Sequence, residues 1–305
     1  MDTKSLQRKI IKIKKEKDIC ILAHAYQSHD ILEIADYTGD SFGLSKKAEK
    51  TESKTVVMCG VEFMAETVKI LSPEKKVILA SESSSCPMAM QYTAEKVKAL
   101  KRKYPEYAVA AYINTTAELK TAADVVVTSS SAVKILNNME NKNIIFLPDP
   151  NLGGWLGKKL PDKNIRLFDG GCPVHMTIER RDVEIAKEKH PHALVLVHPE
   201  AKETVAELAD FVGSTTEIMD FARESTSEEF IIGTENSIVQ HLQFECPEKR
   251  FYSLSKKAIC HDMRMTTLVD VYNAVRGIGG KEILIDEDMI KLARKPINMM
   301  IELGK

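Results

Sequence analysis

Short apolar runs alternate with longer amphipathic stretches along most of the chain. The runs are rich in Val, Ile and Leu and end at glycines or polar residues, whereas apolar residues recur at helical spacing between them. This alternation is typical of parallel sheets whose strands are covered by helices. We therefore predict an α/β fold with strands at residues 19–23, 55–58, 77–80, 109–111, 125–127, 144–147, 165–168, 194–197, 209–212, 230–232 and 251–254.

The ends of these predicted strands repeat at nearly constant intervals. Two series of similar residues recur after 88 and then 86 residues: His24, Tyr112 and His198, and Ser41, Ser129 and Thr215. A third series recurs after 86 and then 88 residues: Cys86, Cys172 and Cys260. Three series in step predict three equivalent units. The alternative is one long doubly wound sheet. Because ligands bind beyond the carboxyl ends of parallel strands, three such edges facing one another would enclose a central site.

Composition and charge narrow the class of protein. The chain has 305 residues, 44% of them apolar and 29% charged, with a formal net charge of −1. These values predict a globular protein without a general attraction to nucleic acid or membrane. No apolar run approaches the ~20 residues of a membrane span, and no signal peptide is evident. We therefore expect a cytoplasmic protein.

Six cysteines in a cytoplasmic chain of this length favour metal binding or burial over disulfides. Cys86, Cys172 and Cys260 each follow the last strand of a repeat, so all three thiols could reach the centre. Three thiolates without a nearby CxxC pair fit structural zinc poorly, and they suit a four-iron four-sulfur cluster that leaves one iron open. Three further cysteines are assigned elsewhere: Cys20 to a buried strand, Cys246 to the surface, and Cys59 to the lining of the site.

Polar residues at strand ends and helix starts supply the other site candidates. Ser41, Ser129, Ser214 and Thr215 lie where backbone N–H groups at helix starts would bind carboxylates or phosphate, although they could be ordinary helix caps. The remaining candidates are His24, Tyr26, Tyr112, Asn114, His198 and Glu200. Burial in a core is the alternative for the histidines and tyrosines. His175, three residues after Cys172, could support a metal centre or act in catalysis.

The chain resembles the quinolinate synthase family over essentially its whole length. The motifs that carry the resemblance are His24-Ala25-Tyr26-Gln27, Gly39-Asp40-Ser41, Cys59-Gly60-Val61-Glu62-Phe63-Met64-Ala65-Glu66, Ser85-Cys86-Pro87-Met88-Ala89, Tyr112-Ile113-Asn114-Thr115-Thr116-Ala117-Glu118, Thr128-Ser129-Ser130, Pro148-Asp149-Pro150-Asn151-Leu152-Gly153, Cys172-Pro173-Val174-His175, His198-Pro199-Glu200 and Gly213-Ser214-Thr215.

The resemblance implies a fold, a cofactor and a reaction. The fold is a pseudo-threefold arrangement of three α/β/α domains around a central active site, and we set their limits at 1–85 with a return at 262–305, 86–171, and 172–261. The cofactor is a 4Fe-4S cluster on Cys86, Cys172 and Cys260. The reaction condenses iminoaspartate with dihydroxyacetone phosphate to quinolinate, phosphate and water in NAD biosynthesis, and it implies an aspartate-oxidising enzyme upstream.

Within this framework Glu200 is predicted to transfer protons beside His198, with Tyr26, Tyr112 and His24 as further catalytic groups. Ser131, Ala201 and Thr216 depart from the pattern usual in the family, which leaves open whether Ser131 or Thr216 touches substrate. Two other functions remain alternatives at this point: an iron–sulfur redox sensor or a zinc-dependent lyase.

Overall fold

Three sheets of one design form the frame of the protein. The computed structural model describes residues 2–305. In each sheet four parallel strands lie in the spatial order second, first, third, fourth along their stretch of chain. The first sheet holds β1 (Ile19–His24), β2 (Tyr37–Gly39), β3 (Thr55–Cys59) and β4 (Lys76–Leu79). The second holds β5 (Ala108–Tyr112), β6 (Val125–Val127), β7 (Asn143–Leu147) and β8 (Asn164–Arg166). The third holds β9 (Leu194–Val197), β10 (Phe211–Val212), β11 (Glu229–Gly233) and β12 (Arg250–Ser253).

The helices repeat in the same way. Their bounds are α1 (Thr3–Glu16), α2 (His29–Leu32), α3 (Ser41–Lys50), α4 (Glu62–Leu71), α5 (Ala94–Lys103), α6 (Ala117–Lys120), α7 (Ala132–Asn138), α8 (Pro150–Lys159), α9 (Arg180–Lys189), α10 (Glu203–Ala206), α11 (Thr215–Glu224), α12 (Ser237–Glu245), α13 (His261–Arg264), α14 (Leu268–Arg276) and α15 (Glu287–Leu303). A four-residue helix follows the first strand of each sheet, and longer helices follow the second and third. We call the three stretches the first, second and third units; the predicted threefold α/β architecture is confirmed.

Two strands of the structure, β2 and β13, were not predicted from the sequence. β2 is three residues long and largely exposed, so it has no apolar run; it forms because Tyr37, Thr38 and Gly39 pair with the buried strand β1. β13 (Lys281–Glu282) is exposed and pairs antiparallel with β4, which closes one edge of the first sheet. Both strands are defined by the neighbour they pair with rather than by their own sequence.

The carboxyl-terminal segment joins two units. The sequence predicted that residues 262–305 return to the first unit. α14 packs on α1 and β3 of that unit, but α15 contacts β6 and α6 of the second unit as well as α4 of the first. Ile297 and Met300 of α15 belong to one hydrophobic core that contains residues from both units. The limits 1–85, 86–171 and 172–261 therefore stay a prediction.

Membrane-spanning segments were not expected. Among residues 2–305 no helix combines the length and the apolar character needed to cross a membrane.

Candidate active site

The carboxyl ends of the three first strands face one central cavity. His24 is the last residue of β1, Tyr112 is the last of β5, and His198 directly follows β9. The cavity has a volume of about 100 Å³. Apart from Cys59, the residues that the sequence assigned to the site line it: His24, Tyr26, Ser41, Cys86, Tyr112, Asn114, Ser129, Cys172, His175, His198, Glu200, Ser214, Thr215 and Cys260. The structure thus brings these residues together, and the roles given to them stay predictions.

Each of the three cysteines begins a turn of helix. Cys86 and Cys172 precede the 3₁₀ turns Met88–Met90 and His175–Thr177, and Cys260 precedes α13. Backbone N–H groups two and three residues further on lower the pKa of each thiol: those of Met88 and Ala89 for Cys86, of Val174 and His175 for Cys172, and of Asp262 and Met263 for Cys260. N–H groups directed at sulfur stabilise a thiolate, so the three turns are built alike for binding metal.

The donor set fits a three-cysteine cluster. Cys86, Cys172 and Cys260 all line the same cavity, and the charge of a neighbouring thiolate raises the pKa of both Cys86 and Cys172. Burial raises the pKa of Cys86 to about 12 and that of Cys260 to about 11, and it raises the pKa of Cys172 as well. Free thiols here are therefore protonated, and a metal that binds them must release protons. In residues 2–305 no fourth cysteine lines the cavity.

Two assignments of the other cysteines need correction. Cys59 does not line the site; it lies fully buried in a core formed by the first sheet, α1 and α14, because it is the strand residue that faces those helices. Cys246 is not near the surface; it ends α12 and packs in a core of the third unit. Cys20 is buried in its strand, as predicted.

Glu200 lies at the meeting point of residues from two sheets. The Tyr112 hydroxyl donates to Oε1 of Glu200 at 2.6 Å, and Nδ1 of His175 lies 2.8 Å from Oε2. The same Nδ1 is 3.3 Å from the sulfur of Cys172. The ligand atoms of Cys172, His175 and Glu200 all lie within 4.8 Å of one another, so they could also hold a metal ion.

A chain of hydrogen bonds continues from His175 to the first unit. Nε2 of His175 lies 2.9 Å from Oγ1 of Thr234, which lies 3.0 Å from the Tyr26 hydroxyl, which in turn lies 2.8 Å from Oγ1 of Thr215. Thr234 was not among the predicted residues. Its signal was available, because it follows β11 at one of the strand ends that carry the other candidates. The chain shows that His175 contacts both a cysteine and the polar residues of the site.

Burial sets the protonation states around Glu200. It lowers the pKa of His24 to about 4 and that of His198 to about 3, so both imidazoles are neutral at neutral pH. It raises the pKa values of Tyr26 and Tyr112, which keep their protons. Burial alone would raise the pKa of Glu200, but His175 and the Tyr112 hydroxyl, which both hydrogen-bond to it, hold it below its usual range. Glu200 is therefore a carboxylate surrounded by proton donors.

Two helices direct their N-termini toward the cavity. Ser41 is the first residue of α3, whose cap is Asp40, and Thr215 is the first residue of α11, whose cap is Ser214. The hydroxyls of Ser41 and Thr215 are therefore not the caps of these helices. Ser129 lies in the turn before α7 and next to Tyr112. Backbone N–H groups and hydroxyls in such places suit oxyanions.

The residues that depart from the family pattern lie outside this lining. Ser131 bonds to Thr128, Thr216 reaches Asp40 at 3.4 Å, and Ala201 is buried in the third unit. The apolar wall of the cavity could not be recognised from the sequence, because its residues look like ordinary core: Phe42, Val61, Phe63, Met88 and Met263.

Comparisons with known proteins agree with the motifs. Residues 8–302 match the family model described as quinolinate synthetase A protein. The quinolinate synthase of Caldicellulosiruptor saccharolyticus is 50% identical over 305 residues, which cover 100% of both chains. That of Clostridioides difficile is 45% identical over 97% of this chain and 97% of its own.

Among the solved structures that match is that of (E)-4-hydroxy-3-methyl-but-2-enyl diphosphate reductase. It is 15% identical, the match covers 81% of this chain and 94% of that one, and the TM-score is 0.26. The family match spans nearly the whole chain, and the relatives align along their full length. The chain therefore belongs to the quinolinate synthetase A family.

Proposed function

We propose that this chain is a quinolinate synthase that condenses iminoaspartate with dihydroxyacetone phosphate and releases quinolinate, phosphate and water. The observation that carries the proposal is the convergence of one cysteine after the last strand of each sheet on a cavity lined by polar strand ends. We infer that Cys86, Cys172 and Cys260 hold a 4Fe-4S cluster. When bound, such a cluster supplies an open iron that acts as a Lewis acid on a substrate oxygen.

The protein's own residues would bind the substrates and move protons. Glu200 is a buried carboxylate in contact with Tyr112 and His175, so it can accept a proton from a carbon acid and return it to a leaving hydroxyl. Tyr26 and Tyr112 are protonated, so each can donate its hydroxyl proton. Neutral His24 and His198 can each donate or accept a proton. Ser41, Ser129, Ser214 and Thr215, with the N–H groups of α3 and α11 and the Asn114 amide, would bind the carboxylates and phosphate.

Protein purified without oxygen tests the cofactor and the activity together. We expect a brown protein with about four irons and four sulfides per chain, which forms quinolinate from the two substrates. Cys86→Ala, Cys172→Ala and Cys260→Ala should each lose the cluster and the activity, whereas Cys246→Ala should keep both. Because Cys246 is also a free cysteine but lies outside the cavity lining, it controls for the loss of a thiol alone.

Each other outcome has a clear meaning. If the purified protein is colourless and holds zinc, the cysteines form a zinc site instead of a cluster site, and a zinc-dependent lyase is favoured. A cluster without quinolinate formation would favour a redox sensor.

We place the enzyme in the cytoplasm, where an aspartate-oxidising enzyme would supply the unstable iminoaspartate.

A further inference from the structure

Two buried carboxylates occupy equivalent positions behind two of the cysteines. Asp149 follows the end of β7 by two residues, and Glu235 follows the end of β11 by two residues. These are the third strands of their sheets. Both side chains are fully buried. The two residues lie 86 positions apart, close to the 88 that separate Cys172 from Cys260.

Each carboxylate joins a helix start to the backbone of a cysteine. Oδ1 of Asp149 accepts from the Leu152 N–H at 2.9 Å in the first turn of α8, and Oδ2 accepts from the Cys172 N–H at 2.9 Å. Oε2 of Glu235 accepts from the Ser237 N–H at 2.8 Å at the start of α12. Oε1 of Glu235 accepts from the Cys260 N–H at 3.3 Å and from Arg264 at 3.2 Å.

Among its described residues, the first unit has no such carboxylate after its third strand. The equivalent position after β3 is Val61. The segment that leads to Cys86 is instead held by Ser84, whose hydroxyl contacts the Gly60 carbonyl at 2.6 Å and the Asp262 carbonyl at 2.8 Å. Ser85 also donates to Asp262 at 3.1 Å. The segment before Cys86 is therefore held through the hydroxyl groups of two serines, whereas the N–H groups of Cys172 and Cys260 themselves donate to carboxylates.

A capping role alone does not account for this arrangement. A buried carboxylate is unfavourable unless hydrogen bonds satisfy it, and an N-cap needs only one of its oxygens. In both residues the second oxygen is used on the cysteine N–H. Removing it would leave a partly buried backbone N–H without this partner and free the turn that carries the sulfur.

We propose that Asp149 and Glu235 are positioning residues that fix the backbones of Cys172 and Cys260 for cluster binding. The proposal rests on the cluster assigned under the proposed function. Groups that orient metal ligands typically affect metal affinity by 10–100-fold when changed. Asp149 and Glu235 would act through the cysteines and touch neither substrate nor metal.

The test measures how fast iron leaves the anaerobically purified enzyme in the presence of the ferrous chelator bathophenanthroline disulfonate. Asp149→Asn and Glu235→Gln keep the shape of each side chain, but a single amide oxygen cannot accept from both N–H groups. We expect each variant to release iron about 10–100-fold faster than the wild type, with unchanged helical circular dichroism. Asp149→Glu and Glu235→Asp keep the charge and should fall between these values.

Asp286→Asn is the matched control. Asp286 caps α15 through the Asp288 and Met289 N–H groups and is far in sequence from any cysteine, so its variant should release iron at the wild-type rate. Wild-type rates in both Asp149→Asn and Glu235→Gln would overturn the proposal. If one variant does not fold, the other decides, because the two carboxylates serve different cysteines. A wild-type protein without iron would instead overturn the proposed cluster itself.

Discussion

Glu200 is the residue on which the chemistry of the site depends most. It is nearly inaccessible to solvent, yet its two oxygens contact a tyrosine from one sheet and a histidine from the connection to the next. The sequence indicated its place, because Glu200 and His198 are two positions apart at the end of β9. The contact with His175 could not be predicted, since it depends on how the turn after Cys172 packs against the third sheet.

Changing Glu200 to Gln tests its role in proton transfer. The amide keeps the size and one acceptor but cannot take up a proton, so turnover should fall by roughly 10²–10⁴-fold while iron content stays at the wild-type level. Glu203→Gln, an exposed residue on α10 that pairs with Lys158, is the control and should leave turnover unchanged. Turnover of the Glu200 variant within about threefold of wild type would reject the assignment. Loss of the cluster would show that Glu200 is structural.

At the scale of elements, strands with their own apolar run were predictable and those without one were not. β5 reads as a buried run of Val and Ala, whereas β2 and β13 exist through pairing with β1 and β4.

The connections between strands and helices were equally hard to predict. The link between β5 and α6 carries Asn114 into the cavity, and the sequence gives no sign of what holds it. In the structure, Lys120 at the end of α6 donates to the carbonyls of Ile113 and Thr115.

Lys120 should make stability depend on pH. Burial lowers its pKa to about 8, and Glu66 only partly offsets the effect. In the unfolded chain the pKa is about 10.4. Below pH 8 the amine is charged in both the folded and the unfolded protein. The folded protein then carries the full free-energy cost of burying the charge. As the pH rises from 8 to 10.4, the folded state loses the proton first, so the penalty shrinks and stability rises.

The measurement compares urea unfolding of the wild type and Lys120→Met at several pH values. Met is uncharged, so across this window the wild type should gain about 3 kcal/mol in the free energy of unfolding relative to the variant. Lys98→Met changes an exposed lysine on α5 and should follow the wild type throughout. Parallel curves for wild type and Lys120→Met would mean that Lys120 is not buried as a cation.

At the scale of the whole molecule, the spacing of the repeats predicted three units but not the way they are joined. Intervals of 86 and 88 residues place equivalent strand ends in register, which is why the three cysteines and the polar strand ends could be assigned to one centre. They carry no information on packing between units. The hydrogen bonds of Tyr26 with Thr215 and Thr234, and the core shared through α15, come from contacts between residues far apart in sequence.

The shared core makes α15 a test of how the units depend on one another. Ile297 is fully buried where α15 meets the first and second units, so Ile297→Ala removes apolar contacts and leaves a cavity. Such a change should lower the free energy of unfolding by about 2–5 kcal/mol. Because residues of both units line this core, probes in either unit should report the same shift. Tyr112 is such a probe in the second unit, and Tyr37 is one in the first.

Leu292→Ala is the matched control on the same helix. Leu292 is 46% exposed, so truncating it should change the free energy of unfolding by less than about 0.5 kcal/mol. Urea unfolding followed by hydrogen exchange, which resolves the two units separately, compares the two variants. A loss confined to amides of the first unit would mean that α15 belongs to that unit alone, as the sequence suggested. An equal loss in β5 and β6 and in β3 and β4 would mean that the first two units unfold as one body.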